Sequence, residues 1–365
     1  MLQLHDIALF QFKNYPNTRF RFHSRIIGIC GNNGMGKTNL LDAIYYLCCT
    51  KSYFGSTDAL NTLHGAAGFR IAGQFSGAEW MSPDEPLEVV CVLRENGKKE
   101  LHANARVLER VADHVGKIPC VVIAPDDAEI ITGGSTDRRR FIDGLLCQLD
   151  AAYLAELMCY NRVLQQRNSY LKSCAPGRTD ESLLAVYDSQ LVQHGEILFR
   201  QRSQTMEALA PLIHQRYTQI AGREENISIR YESPLQQGRF GDLLHLSRQK
   251  DLALQRTTTG IHRDDLVLEL DDQPFKQLAS QGQRKSLLFA LKLAELKLLQ
   301  QSKQVSPLLL LDDVFEKLDE TRMHNLLHYV CTENNGQVFI TDTQATRLEK
   351  AFSDCGTPIQ IVEIK

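Results

Sequence analysis

No apolar run in the 365 residues approaches the ~20 needed to span a bilayer as a helix, so the expectation is a soluble protein. The opening Met1-Leu2-Gln3-Leu4-His5-Asp6 lacks the charged-then-apolar order of a signal peptide. The ten cysteines, at positions 30, 48, 49, 91, 120, 147, 159, 174, 331 and 355, contain no C-x-x-C pair and no regular framework. That argues against a zinc ribbon or a disulfide scaffold, and the expected compartment is a reducing cytoplasm. An excess of positive charge is missing too: 41 Lys and Arg stand against 44 Asp and Glu, a net charge of −3. Any nucleic-acid contact must therefore come from a local patch. Internal repeats, low-complexity linkers and sustained heptads are absent, which excludes solenoids and long coiled coils.

What is present is length enough for two to three domains and a change of periodicity along it. Residues 1–130 read as strand-rich, from the alternation in Arg19-Phe20-Arg21-Phe22, the run Val89 to Leu93 and the Asn96-Gly97 turn signal. Residues 131–225 carry helical spacing: Phe141, Leu145 and Leu149, then Leu154, Leu157 and Met158, and, after a break at Pro176-Gly177, Leu184, Tyr187, Leu191 and Leu198. Residues 226–365 return to strand patterns at Ile227 to Tyr231, Leu308 to Leu311, Val338 to Ile340 and Ile359 to Val362, with helices between. The expected organisation is an α/β head in two sequence segments with a helical arm inserted between them.

One stretch names its chemistry. Gly31-Asn32-Asn33-Gly34-Met35-Gly36-Lys37-Thr38 is a complete G-x-x-x-x-G-K-T phosphate-binding loop. Before it, Ile26-Ile27-Gly28-Ile29 reads as a buried parallel strand; after it, Leu40, Leu41, Ile44, Leu47 and Cys48 recur at helical spacing. In that context the glycines bring backbone N–H groups onto an anion and the helix N-terminus adds positive potential. Lys37 reaches the outer phosphates and Thr38 offers its hydroxyl to Mg²⁺. A chance glycine-rich turn would not have both flanks.

Leu308-Leu309-Leu310-Leu311-Asp312-Asp313 supplies the second half of such a site: a buried strand ending in two carboxylates. Asp312 is assigned to Mg²⁺, and Asp313 to orienting the attacking water as general base. Far from the phosphate loop in sequence, but shortly before this strand, Ser280-Gln281-Gly282-Gln283 opens a long helix marked by Leu287, Leu288, Leu291, Leu296 and Leu299. The turn is another ready anion site and resembles the S-x-G-Q signature loop of ABC-type ATPases.

With these motifs in place the chain resembles the RecF family of ABC-type, SMC-like ATPases nearly end to end. The resemblance also rests on Ala124-Pro125-Asp126-Asp127, Gly133 through Asp143, Tyr160 through Asn168, Gly260 through Leu266 and Asp312 through Asp319. It implies a two-lobed ABC-type P-loop head with a short helical arm and a composite ATP site shared by two copies. The phosphate loop and Asp312 of one copy would face Ser280, Gly282 and Gln283 of the other, and Asp319 would adjust hydrolysis. It further implies an ATP-dependent homodimer that clamps DNA at gaps or single/double-strand junctions, helps load recombinase, and works with RecR and, through it, RecO.

Two departures accompany the resemblance: Ile261 replaces a usual proline, and Tyr53-Phe54-Gly55 lacks a basic residue that many members carry. The segment Ile340-Thr341-Asp342-Thr343 has no switch histidine, so slow hydrolysis is expected and a transporter-type ATPase is disfavoured. An appended nuclease domain after Asp312 is not expected. Arg138, Arg139, Arg140, Arg162, Arg167 and Lys172 are candidates for tracking phosphates or for a solvated face.

Overall fold

The computed structural model describes residues 1–55, 57–78, 80–81, 85–174, 180–315 and 319–364. The expected break at Pro176-Gly177 and the stretch Glu316-Lys317-Leu318 after the paired acids lie outside the described residues.

The chain opens with β1 (Gln3–Phe12), β2 (Tyr15–Arg21), β3 (Ile26–Cys30) and helix α1 (Lys37–Cys49). Strands β4 (Phe69–Ser76), β5 (Leu87–Leu93), β6 (Lys99–Ala103), β7 (Arg106–Val107) and β8 (Cys120–Ile123) follow. The helical stretch holds α2 (Glu129–Thr132), α3 (Ser135–Leu149), α4 (Ala151–Ser173) and α5 (Glu181–Ala221). Next come β9 (Ile227–Glu232), α6 (Phe240–Leu254), β10 (Asp265–Leu270), β11 (Gln273–Pro274) and α7 (Phe275–Leu278). Helix α8 (Gln281–Lys303), β12 (Leu308–Leu311), α9 (Glu320–His328), β13 (Val338–Asp342), α10 (Ala345–Asp354) and β14 (Ile359–Glu363) complete the chain.

The described residues pack into two units. The first contains Met1–Asp127, Gln215–Glu224 and Gln281–Lys365. Its six-stranded antiparallel sheet runs β2-β1-β4-β5-β6-β7, and its five-stranded parallel sheet runs β14-β3-β13-β12-β8. The central strands β3, β12 and β13 are buried along their whole length, as in a parallel sheet covered on both faces, and so read as continuous apolar runs; the edge strand β8 is buried throughout as well. Four consecutive leucines make β12 although leucine is a modest strand former; burial on both faces decides. Helix α1 touches β1, β4 and β5 of one sheet and β8 and β13 of the other, and Leu40, Leu41, Ile44 and Leu47 are fully buried. A helix flanked on two sides has to be apolar nearly all round, and this one is.

The second unit contains Ala128–His214 and Glu225–Ser280, with the small antiparallel sheet β11-β10-β9. This departs from the expected division at residues 225 and 226. The segment Glu225–Ser280 does not belong with the C-terminal part of the head, because β10 packs on α3 and α6 on α4. Ion pairs lock this arrangement. Arg138 forks onto Asp265 at 2.6 and 2.9 Å, and Arg202 joins Asp143 at 2.8 Å and Asp264 at 2.6 Å. The last turns of α5, in turn, belong to the first unit, where Arg216 pairs with Glu333 at 2.6 Å and Asn325 donates to the Ile220 carbonyl at 3.2 Å.

Candidate functional site

The loop from Gly31 to Thr38 joins β3 to α1, as its sequence context requires. Its glycines are needed for two separate reasons. Gly34 and Gly36 have φ of 82° and 107°, a region that side chains disfavour. A Cβ on Gly31 would also meet the Ile364 carbonyl oxygen at 2.5 Å, and one on Gly36 the Asn14 amide at 2.4 Å. Asn14 and Tyr15, at the β1–β2 turn, hold the loop from behind: Asn14 Nδ2 donates to the Met35 carbonyl at 2.9 Å and Tyr15 OH to the Gly36 carbonyl at 3.0 Å. Helix α1 begins at Lys37, after Gly36 as N-cap, with no side-chain cap and no acidic residue in its first turn. Its orphan N–H groups and positive end are therefore left for an external anion.

Lys37, only 5% exposed, folds over the loop and donates to the carbonyls of Gly31 at 2.8 Å and Asn32 at 3.2 Å and to Asn33 Oδ1 at 3.4 Å. Its hydroxyl neighbour Thr38 lies 3.0 and 2.9 Å from the two carboxylate oxygens of Asp312. Asp312 is 4% exposed, and burial raises its carboxyl above the usual range against the opposing pull of the Thr341 and Thr38 hydroxyls. One hydroxyl and one carboxylate side by side form the hard-oxygen pair that Mg²⁺ takes from a protein when phosphate oxygens and water complete its shell. The residues present thus fit both a nucleotide phosphate and its cation. Among the described residues no cluster of three or more His, Cys, Asp or Glu could hold a metal unaided.

A residue that the sequence pattern did not single out joins the two acids. Thr341, fully buried at the end of β13, donates to Asp312 Oδ1 at 2.8 Å and accepts the Asp313 N–H at 2.8 Å. The only signal in this segment was the missing histidine, which drew attention to what the position lacks. Asp313 itself is half-buried and has φ of 47°, so its carboxylate leaves the strand on a left-handed backbone. Replacing Thr341 with Val keeps shape but strands a buried N–H and removes a donor from a buried carboxylate. The expected cost to the first unit is about 2 kcal/mol. A melting transition unchanged from the wild type would show that the hydroxyl is dispensable.

The remaining expected site residues lie elsewhere. Asp319 caps α9, accepting the Arg322 N–H at 3.0 Å, and pairs with the Arg322 guanidinium. Ser280 is exposed immediately before α8, and Gly282 and Gln283 are half-buried in its first turn. The basic candidates divide sharply. Arg167 is fully buried, holding Asp188 at 2.8 Å and Asp251 at 2.7 Å, so it has no surface for DNA. Arg138 is committed to Asp265, and Arg139 donates to the Asp264 carbonyl at 2.6 Å. Arg140, 75% exposed, together with Arg162 and Lys172, remains on the surface.

The family model described as RecF/RecN/SMC N terminal domain matches residues 3–361. The DNA replication and repair protein RecF of Flavobacterium johnsoniae is 41% identical over 349 residues, covering 95% of this chain and 96% of that protein. Its counterpart in Bacteroides thetaiotaomicron is 37% identical over 361 residues, covering 99% and 96%. A solved structure of the recombination mediator protein RecF with ATP, of the RecFOR pathway, superposes with a TM-score of 0.86 at 28% identity and covers 94% of this chain and 93% of that one. An Smc head domain from Pyrococcus furiosus, at 15% identity and a TM-score of 0.57, shares the fold. The phosphate loop, the acid-ended strand and these near full-length matches agree, and the chain belongs to the RecF family.

Proposed function

We propose that the chain is a weak Mg²⁺-dependent ATPase in which ATP closes a homodimer on DNA and slow hydrolysis reopens it. The observation that carries this reading is the Thr38–Asp312 pair beside Lys37, with Asp313 one residue beyond. Mg²⁺, held by Thr38 and Asp312, would neutralise phosphate charge. Lys37 is free to exchange its loop carbonyls for phosphate oxygens, and Asp313 accepts a proton from the attacking water. Exposed Ser280, with Gly282 and Gln283, offers a second anion site to the nucleotide of the other copy. Twofold symmetry then makes two composite sites from one interface.

The RecF family of DNA replication and repair proteins supplies the partner class. The expected ligand is DNA with a gap or a single/double-strand junction, with RecR and RecO as protein partners, in the cytoplasm. No disulfide joins any of the ten cysteines, in keeping with that compartment. Arg140, Arg162 and Lys172 are the surviving phosphate-contact candidates from the basic set. No helix among the described residues is long and apolar enough to cross a membrane.

Two inactive chains test the composite site. Ser280→Arg is expected to bind ATP as a monomer yet fail to dimerise, and Lys37→Met to fail at binding. Mixed, they should form a dimer with one complete site, seen by sedimentation with ATP and gapped duplex. A Ser280→Arg chain that dimerises and hydrolyses normally would leave a P-loop ATPase acting within one chain as the better account.

A further inference from the structure

The signature turn of an ATPase that works across a dimer has to be held rigidly enough to meet a nucleotide it does not otherwise touch. In this chain the first turn of α8 is held by a side chain from α9. Arg322 Nε donates to Ser286 Oγ at 2.8 Å, one turn into α8, and Ser286 is fully buried. The far end of the same guanidinium pairs with the Asp319 carboxylate, whose other oxygen accepts the Arg322 backbone N–H at 3.0 Å. Its flat face rests on Gly282: a Cβ there would stand 2.9 Å from each of Cζ, Nη1 and Nη2. Any side chain at Gly282 would push the guanidinium away, so the arginine of α9 can lie on the turn only because residue 282 is a glycine.

We propose that Arg322 is a positioning residue, fixing the signature turn at Gly282 to the Asp319 cap of α9 so that the turn can act on the nucleotide held by a second copy. The inference rests on the composite-site reading above. Three contacts through one planar group define both position and orientation, which a flexible ammonium could not do. The backbone N–H of Arg322 and two of its side-chain nitrogens converge on Ser286 and Asp319, and the guanidinium is 18% exposed. Asp319 is accordingly held below the usual carboxylate range by the Arg322 N–H and guanidinium. Its carboxylate is thus engaged in holding α8 and α9 together, which gives it a role besides any adjustment of hydrolysis.

The mixed dimer isolates this role. In it the Ser280→Arg chain supplies the working phosphate loop and the Lys37→Met chain supplies the working signature turn. Arg322→Ala placed on the Lys37→Met chain is expected to lower single-turnover hydrolysis about tenfold or more, since displacement of a positioning group by about 1 Å is that costly. The same change on the Ser280→Arg chain, whose turn is already disabled, should stay within twofold of the mixed dimer that carries neither change. A general folding defect would lower both arrangements alike, and either that result or an unaffected first arrangement overturns the proposal. So does a larger loss on the Ser280→Arg chain, which would place Arg322 behind the acids of its own chain instead. Should Arg322→Ala fail to fold, Ser286→Ala removes one tether only and must show the same dependence on which chain carries it. Failure of the composite-site reading shows earlier, as a Ser280→Arg chain that is active by itself.

Discussion

Lys37→Met is expected to weaken ATP binding by about 10²–10³-fold and to abolish ATP-dependent dimerisation. The side chain is 5% exposed and its ammonium is satisfied by two loop carbonyls and Asn33. Those acceptors belong to Gly31, Asn32 and Asn33, of which the two asparagines are exposed and can turn to water. Loss of the amine therefore costs the free protein little and the nucleotide complex much, because two or more phosphate oxygens lose their charge-assisted donor. Isothermal titration of the folded variant, with its melting temperature as the control, separates these. Lys37→Arg should retain part of the binding and lose hydrolysis, since a planar fork cannot stand in for a point charge at both loop and phosphate. Wild-type affinity in Lys37→Met would refute the assignment of the loop.

The strand–loop–helix around Gly31–Thr38 and the acid-ended strand were legible because their signals are local: β3, loop and α1 are contiguous, and Leu308–Leu311 advertises a buried strand by composition alone. Nothing comparable marks Glu225–Ser280. Its strands alternate like those of the head, and only three-dimensional pairing, Arg202 with Asp264 and Arg138 with Asp265, assigns it to the helical unit. Arg167 shows the same limit from the other side. In sequence it stands among arginines and glutamines on a polar helix, whereas in the fold it is sealed between Asp188, Asp251 and Thr257. A cation whose partners lie on α5, on α6 and beyond α6 cannot be distinguished from a surface arginine by spacing. Thr341 was invisible for a third reason: a hydroxyl that bridges two carboxylate residues carries no periodicity. Asn14 and Tyr15 brace the phosphate loop from a different strand pair, again without a sequence signature.

Asp313→Asn should leave ATP binding and dimer closure intact while lowering phosphate release by about 10²–10⁴-fold, the usual cost of losing a general base. The backbone makes this substitution unusually clean. Asp313 has φ of 47°, where a β-branched or bulky residue is strained but asparagine is at ease, and its N–H bond to Thr341 Oγ1 at 2.8 Å does not involve the side chain that changes. Asp313→Ala would mix the chemistry with loss of that backbone preference and is the poorer test. The variant should therefore accumulate as an ATP-bound dimer that persists on gapped duplex, measurable by sedimentation at saturating ATP and Mg²⁺. Single-turnover release of labelled phosphate from that dimer reads the chemical step alone. If it proceeds at the wild-type rate while the dimer forms normally, Asp313 is not the base, and the proton acceptor must be sought in the segment that follows it, where Glu316 is the next carboxylate in the chain.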